Sequence, residues 1–241
     1  MTFKVSRSFR PSIPGTVALL LLAALFGSLG TWQTKRAAEK SETEQQHQAA
    51  TTVALETALA GGQRFARIDI GGRYDPERHV LLDNQVWKGR AGVYVFTPFY
   101  TNDGTTILVN RGWLPLSADR QTMPEVPTPR HQTVLRGMLN ILPVPGRMMG
   151  QADTLKQDKW PQLVTYLNQT NIAEALDTPL ENWVVQLSHS EKDGFEGREW
   201  KPVFLSSKRH RGYAFQWFAL TTASIVLWLF IGFRNPSGNS K

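Results

Sequence analysis

The 241-residue sequence contains no cysteine. Disulfides, thiol nucleophiles and thiolate metal sites are therefore excluded, and any redox compartment is permitted. Familiar catalytic signatures are missing too: there is no G-x-S-x-G, H-E-x-x-H, phosphate-cradling P-loop or G-x-G-x-x-G. The formal charge of +7 is not organised as a basic groove interleaved with stacking aromatics, so no nucleic-acid partner is expected. Basic clusters beside apolar runs suit anionic lipid headgroups better. Of the five histidines, His47, His79, His131 and His189 show no metal-like spacing and are expected on the surface.

What the chain does have is two uncharged apolar runs. Pro14–Trp32 holds 19 residues and Gly212–Phe233 holds 22. At 1.5 Å of rise per residue they cover about 28 and 33 Å, enough to cross a hydrocarbon core roughly 30 Å thick. The reading is a domain stapled to a membrane at both ends: a tail at 1–13, transmembrane helix 14–32, a β-rich domain at 33–211, transmembrane helix 212–233 and a tail at 234–241. Ser28-Leu29-Gly30 would also suit signal-peptide cleavage, but the run exceeds the usual 7–15 apolar residues and Trp32 stands where an interfacial anchor would. Lys and Arg tie on the two sides of the first run. Because short tails weigh more than long translocated loops, the tails are expected in the cytoplasm and the domain in the periplasm of a bacterial inner membrane. Tails so short are expected to carry no output domain.

Between the runs, Gln33 to about Ala60 is rich in Ala, Glu, Gln and Lys and predicts a helix stopped by Gly61-Gly62. Short β-branched or aromatic runs follow at Phe65–Ile70, His79–Asp83, Val93–Thr97 and Thr106–Val109, separated by turn signals. Asn102-Asp103-Gly104 is the clearest hairpin turn. Further strands are expected at Thr133–Ile141, Leu163–Leu167 and Trp183–Leu187, a short helix at Asn171–Leu176 with an Asn or Thr170 cap, and proline loops at Pro124–Pro129 and Pro143–Pro145. The expected class is an α+β membrane protein: two transmembrane helices flank a mostly antiparallel β domain, a small barrel or sandwich with peripheral helices.

Chemistry is sparse. Asp83 and Asn84 near His79 could be imagined as an acid–base group, but a strand end with a polar turn explains them better. His210 differs, standing two residues before the second run. Its imidazole could ligate haem iron with Tyr213 and Trp217 one and two turns on, or it could simply belong to an interfacial cationic cluster with Lys208, Arg209 and Arg211. Gln216 lies inside the second run, where an unpaired amide is costly, and is expected to face the other helix or a bound group. Ala23, Gly27 and Gly30-Thr31, with Ala219 and Ala223, are spaced to let two helices approach closely.

Several blocks, in order along the chain, resemble the surfeit locus protein 1 family. They are Gly30-Thr31-Trp32-Gln33 with Arg36 and Lys40; Leu81–Gln85, Gly89-Arg90, Gly92 and Thr97-Pro98-Phe99; Ile107–Pro115; Arg136-Gly137; and Gly212–Leu220. The resemblance implies a non-enzymatic assembly factor for haem–copper cytochrome c oxidase that assists delivery or insertion of haem a. Subunit I of that oxidase and haem a synthase are the implied partners. It also implies His210 as the haem-iron ligand, on the H-x-x-Y spacing of His210 and Tyr213. Trp32, Tyr213 and Trp217 would line the haem, and Arg36, Lys208, Arg209 and Arg211 would meet its propionates. A membrane-anchored binding module or hydrolase acting on an envelope substrate is the competing class. Within the Ile107–Pro115 block, Arg111 needs a carboxylate or several carbonyls, with Asp83 the first acid to name. Gly92 and Gly112 are expected at positive φ or at close backbone approaches.

Overall fold

The computed structural model describes residues 9–120, 122–143, 153–200 and 206–234. The chain divides into a helical unit, residues 1–45 with 202–241, and a β-rich unit, residues 46–201.

The helical unit holds α1 (Ile13–Gln48) and α4 (Ser207–Arg234). Both are long and apolar enough to cross a membrane, and the apolar surface of each is almost wholly uncovered by protein. Hydroxyls inside the runs bond back to their own helix: Ser28 to the Leu25 carbonyl, Thr31 to Gly27, Thr221 to Trp217 and Thr222 to Phe218. A polar side chain in hydrocarbon is thereby satisfied without leaving the helix. The antiparallel helices meet along a seam in which contacts recur every three or four residues. Trp228 Nε1 donates to Thr16 Oγ1 (3.1 Å), the Phe26 and Trp217 rings stack at 5.7 Å, and a β-carbon on Gly30 would lie 2.8 Å from the Phe218 ring. Of the expected small residues, then, Gly30 makes the close approach. Gly27 has open space, Ala219 and Ala223 are exposed, and Ala214 is the buried alanine of α4.

The β-rich unit is built on seven strands: β1 (Arg67–Tyr74), β2 (Val80–Trp87), β3 (Arg90–Thr101), β4 (Thr106–Pro115), β5 (Thr133–Ile141), β6 (Gln162–Val164) and β7 (Trp183–Leu187). Their order is β1-β5-β7-β4-β3-β2-β6, and β1 also pairs with β3. The ring β1-β5-β7-β4-β3 is thus a closed five-stranded barrel, which removes its sheet edges, with β2 and β6 continuing outward from β3. Pairings are antiparallel except β4–β7 and β2–β6. Asn102-Asp103-Gly104 forms the β3–β4 turn, with Gly104 at φ 88° and the Thr101 N–H donating to the Thr105 carbonyl at 2.9 Å.

Two cores follow from the alternation of side chains along strands. Inside the barrel lie Ile68, Ile70, Phe99, Ile107, Val109, Leu135, Val185 and Leu187, with Leu55 of the short helix α2 (Leu55–Ala60) against them. Outside it, Val80, Phe96, Leu108 and Val184 pack against Ile172 and Leu176 of α3 (Gln169–Leu176). β4 serves both, which is why Thr106–Trp113 is buried without interruption.

Three expectations need correction here. The helix predicted from Gln33 to Ala60 is two helices, because Thr51–Val53 leave the helix to pair with Arg67, Val53 N–H donating to its carbonyl and Arg67 N–H to that of Thr51. Backbone pairing overrides the local propensity. The strand at Leu163–Leu167 is only Gln162–Val164, while the expected Asn cap of α3 is present as Asn168, whose side chain accepts from the Asn171 N–H. His79 is buried rather than exposed, at 3%. The loop at Pro143–Pro145 lies partly outside the described residues.

Candidate functional site

His210 sits in the first turn of α4, 9% exposed, on the side facing α1. Its Nδ1 lies 2.7 Å from Gln33 Oε1. One turn before, Glu44 of α1 caps α4. Ser207 N–H donates to Oε1 at 3.1 Å and Ser207 Oγ donates to Oε2 at 2.8 Å. These bonds hold the Glu44 carboxyl below the usual glutamate range. A carboxylate at a helix N-terminus also complements the helix dipole. The first turn of α4, and with it His210, is therefore fixed by two side chains of another helix.

The remaining expected residues divide by helical angle. Gln33 and His210 face each other across an antiparallel pair, so Trp32 and Arg36 of α1 lie on the same flank as Tyr213 of α4. Trp32 and Tyr213 are 51% and 45% exposed, which leaves both rings open on that flank. Arg36 is exposed and paired with Glu39 at 2.9 Å. Arg211, two residues before Tyr213, projects from the opposite flank and donates to Ser207 Oγ at 3.2 Å. Arg211 and Tyr213 therefore do not converge on one side of His210. Trp217 is in the seam, stacked on Phe26. Gln216 is exposed on α4 and does not fill the seam. The amide that does so is Gln33, named in the sequence only as part of a motif. Its signal was the seam spacing of Phe26, Gly30, Gln33 and Ala37.

The donor set fits an iron ligand on one side of His210. Nδ1 is engaged by Gln33, and Nε2 has no hydrogen-bond partner among the described residues; in the tautomer protonated at Nδ1, Nε2 would be the ligand atom. Among the described residues no group of three or more His, Asp or Glu is placed to hold a metal ion.

The imagined acid–base group in the β-rich unit is not assembled. Asp83 pairs with Arg120 at 2.9 Å, and Asn84, at φ 60°, sits where the β2–β3 register shifts. His79, four strand residues away and so about 13 Å along the chain, turns Nδ1 to Thr97 Oγ1 at 3.1 Å. Burial, helped by the Arg111 charge, lowers its pKa to about 4. A cleft of about 1080 Å³ opens beside it, between Arg78, Glu125 and Trp160. Asp75, on its wall, is fully engaged: it accepts from the Glu77 and Arg78 N–H groups, from Arg78 Nε at 2.7 Å and from Tyr100 OH at 3.0 Å. Burial alone would raise that carboxyl, but these bonds hold it low. Arg78 spends its other nitrogens on the Leu176 carbonyl and Tyr100 OH. The cluster fastens the β1–β2 turn to α3.

The Ile107–Pro115 block is structural in the same sense. Arg111, 1% exposed, donates to the carbonyls of Asp193 and Pro127 at 2.8 Å and to Thr128 Oγ1 at 2.7 Å. The rings of Tyr74 and Phe195 lie 4.9 and 4.7 Å from its guanidinium carbon. Asp83 is not its partner. Gly112 has φ 109°, and a β-carbon there would lie 2.5 Å from the Glu196 carbonyl oxygen; one on Gly92 would lie 2.2 Å from that of Leu114. Both glycines are where the sequence reading put them, at close approach or positive φ.

Comparison with known proteins gives the lineage. A model of the SURF1 family matches residues 20–222, well over half of the chain and part of each apolar helix. The chain belongs to the SURF1 family. Surfeit locus protein 1 of Takifugu rubripes is 33% identical over 118 residues, 40% of this chain and 49% of that protein. A SURF1-like protein of Dictyostelium discoideum is 41% identical over 49 residues, 20% of this chain and 18% of that protein. The matched segments thus span about half, or less, of the curated relatives. The SURF1 match covers Trp32, Gln33, Arg36, His210, Tyr213 and Trp217 in a single stretch.

Proposed function

We propose that this protein is a membrane-anchored assembly factor for a haem–copper cytochrome c oxidase, and that it acts at delivery or insertion of haem a. The observation that carries the reading is a SURF1-family match that reaches into both apolar helices together with a histidine held between them through Nδ1. His210 would hold the haem iron. Trp32 and Tyr213, exposed on one flank, would face the porphyrin, with Arg36 placed for a propionate. Arg211, on the other flank, is left out of that set, and Trp217 supports it from the seam. The haem would supply redox-active iron to the oxidase; this chain only binds and orients it, and is no enzyme. Subunit I of the oxidase and haem a synthase are the partners this role requires. The apolar helices would place the protein in the inner membrane with the β-rich unit in the periplasm.

Deletion of the gene in a strain that depends on such an oxidase should lower oxidase activity and its haem a absorption while haem a synthesis continues. Normal oxidase content in that strain would overturn the assembly role. Protein purified from haem a-producing cells should show a Soret band that His210→Ala removes without changing the amount of protein in the membrane.

A further inference from the structure

The haem-ligand reading concerns His210; the structure also shows what holds it, and the following rests on that reading. We propose that Gln33 is a positioning residue: its amide oxygen accepts the Nδ1 proton of His210, which fixes the tautomer whose Nε2 lone pair can ligate iron and sets the plane of the ring.

Three observations support this. The Oε1–Nδ1 distance of 2.7 Å is at the short end for an N–H···O bond. Gln33 occupies a seam position, between Gly30 against the Phe218 ring and buried Ala37. An amide there is less favourable than an apolar side chain unless it is bonded, and His210 is the partner it has. Finally, neither residue is free to drift, because α4 is capped from α1 by Glu44 one turn away. An imidazole whose ring orientation and tautomer are set by a partner at the far nitrogen is the usual arrangement for a histidine metal ligand, and loss of that partner typically costs 10–100-fold in metal affinity. Gln33 plays here the part that a carboxylate or a backbone carbonyl plays elsewhere.

The amide has two ends, and only one of them serves. If the NH₂ group faced Nδ1, the proton would reside on Nε2 and no lone pair would remain for iron. The test therefore reads the tautomer directly. In full-length, haem-free protein labelled with ¹⁵N-histidine and held in detergent, the His210 resonances are identified by their loss in His210→Ala. We expect Nδ1 protonated and Nε2 bare in the wild type. Gln33→Leu, close in volume, should give a mixture of tautomers, and Gln33→Glu, which can only accept, should restore the Nδ1–H form. Haem a titrated into the same proteins should bind about 10–100-fold more weakly to Gln33→Leu. Gln33→Glu should bind like the wild type and shift the iron midpoint potential to more negative values, since a carboxylate makes the imidazole a stronger donor. A wild-type His210 protonated at Nε2, or a Gln33→Leu protein with unchanged tautomer and affinity, overturns the proposal. If His210→Ala itself keeps the wild-type haem spectrum, the ligand reading fails and the positioning role with it. If that band is lost while Gln33→Leu binds normally, the positioning role alone fails.

Discussion

Arg111 offers the sharpest test of how the β-rich unit is held. Its side chain is 1% exposed, with Nε, Nη1 and Nη2 each donating to one oxygen at 2.7–2.8 Å. No carboxylate lies within ion-pair distance among the described residues. The bonds tie β4 to two loops, residues 127–128 and 193–195, and the latter loop also donates to β4, from the Phe195 N–H to the Arg111 carbonyl. Consider Arg111→Met, which keeps most of the volume. Three buried acceptors lose their donor, while relief from burying a cation returns part of that cost. With the lost hydrogen bonds to a charged donor taken at about 2 kcal/mol each and about 1–3 kcal/mol returned by no longer burying the cation, the net loss should be about 3–5 kcal/mol, a large share of the 5–15 kcal/mol typical of a whole domain. At about 2–4 °C per kcal/mol for a unit of this size, Tm should fall by roughly 6–20 °C. Arg111→Lys keeps the charge but not the fork, so it should recover only part of the loss. Thermal unfolding of the full chain in detergent, followed by tryptophan fluorescence, measures both. A Met variant melting within about 2 °C of the wild type, or a Lys variant fully restored, would refute the view that the planar fork, rather than the charge, joins the two loops.

Gly112→Ala should destabilise by more than about 2 kcal/mol, through both φ and the clash with the Glu196 carbonyl. Gly89→Ala, at φ 76° with open space around it, should cost only about 1 kcal/mol; equal effects would show that the clash is not felt. At Gly30, leucine should force the helices apart at Phe218, and in this cysteine-free background cross-linking of Phe26→Cys with Trp217→Cys should drop several-fold. His79 makes stability depend on pH. Its folded pKa of about 4 lies below the ordinary 6.5, so the unfolded chain binds more protons between those values. Its contribution, about 3 kcal/mol at most, is complete above roughly pH 6.5 and is lost as pH falls towards 4. His79→Leu should flatten that slope in denaturant titrations at pH 4–7, and an unchanged slope would assign it to other groups.

The two apolar helices and most strands were legible because their signals are local: long uncharged runs, β-branched stretches and an Asn-Asp-Gly turn. Thr133–Ile141 and Trp183–Leu187 have the same bounds in sequence and structure. What failed was decided by distant residues. Thr51–Val53 look helical until Arg67 pairs with them. Asp83 was named for Arg111 because it is acidic, yet it meets Arg120, while Arg111 is satisfied by carbonyl groups, which every residue carries and no sequence pattern marks. At the candidate site, His210 stood out by type and position. Gln33 did not, because a glutamine shows its role only when helical angle brings it opposite a histidine 177 residues later.

Strand β7 lies between β4 and β5 and is the last stave of the barrel in chain order. Until residue 187 leaves the ribosome, the Leu108–Asn110 edge of β4 and the Gly137–Ile141 edge of β5 have no mate. Both are strongly apolar, so a nascent chain must carry two sticky edges through the synthesis of more than forty intervening residues. A frameshift or stop codon upstream of Trp183 would therefore leave an open sheet prone to self-association rather than a smaller working domain. A stop beyond residue 200, by contrast, would leave a unit with its staves and the Arg111-bonded loop at 193–195 complete and α4 missing. Early and late truncations of one gene should differ in kind: the first cleared as aggregates or by proteases, the second accumulating in a folded form.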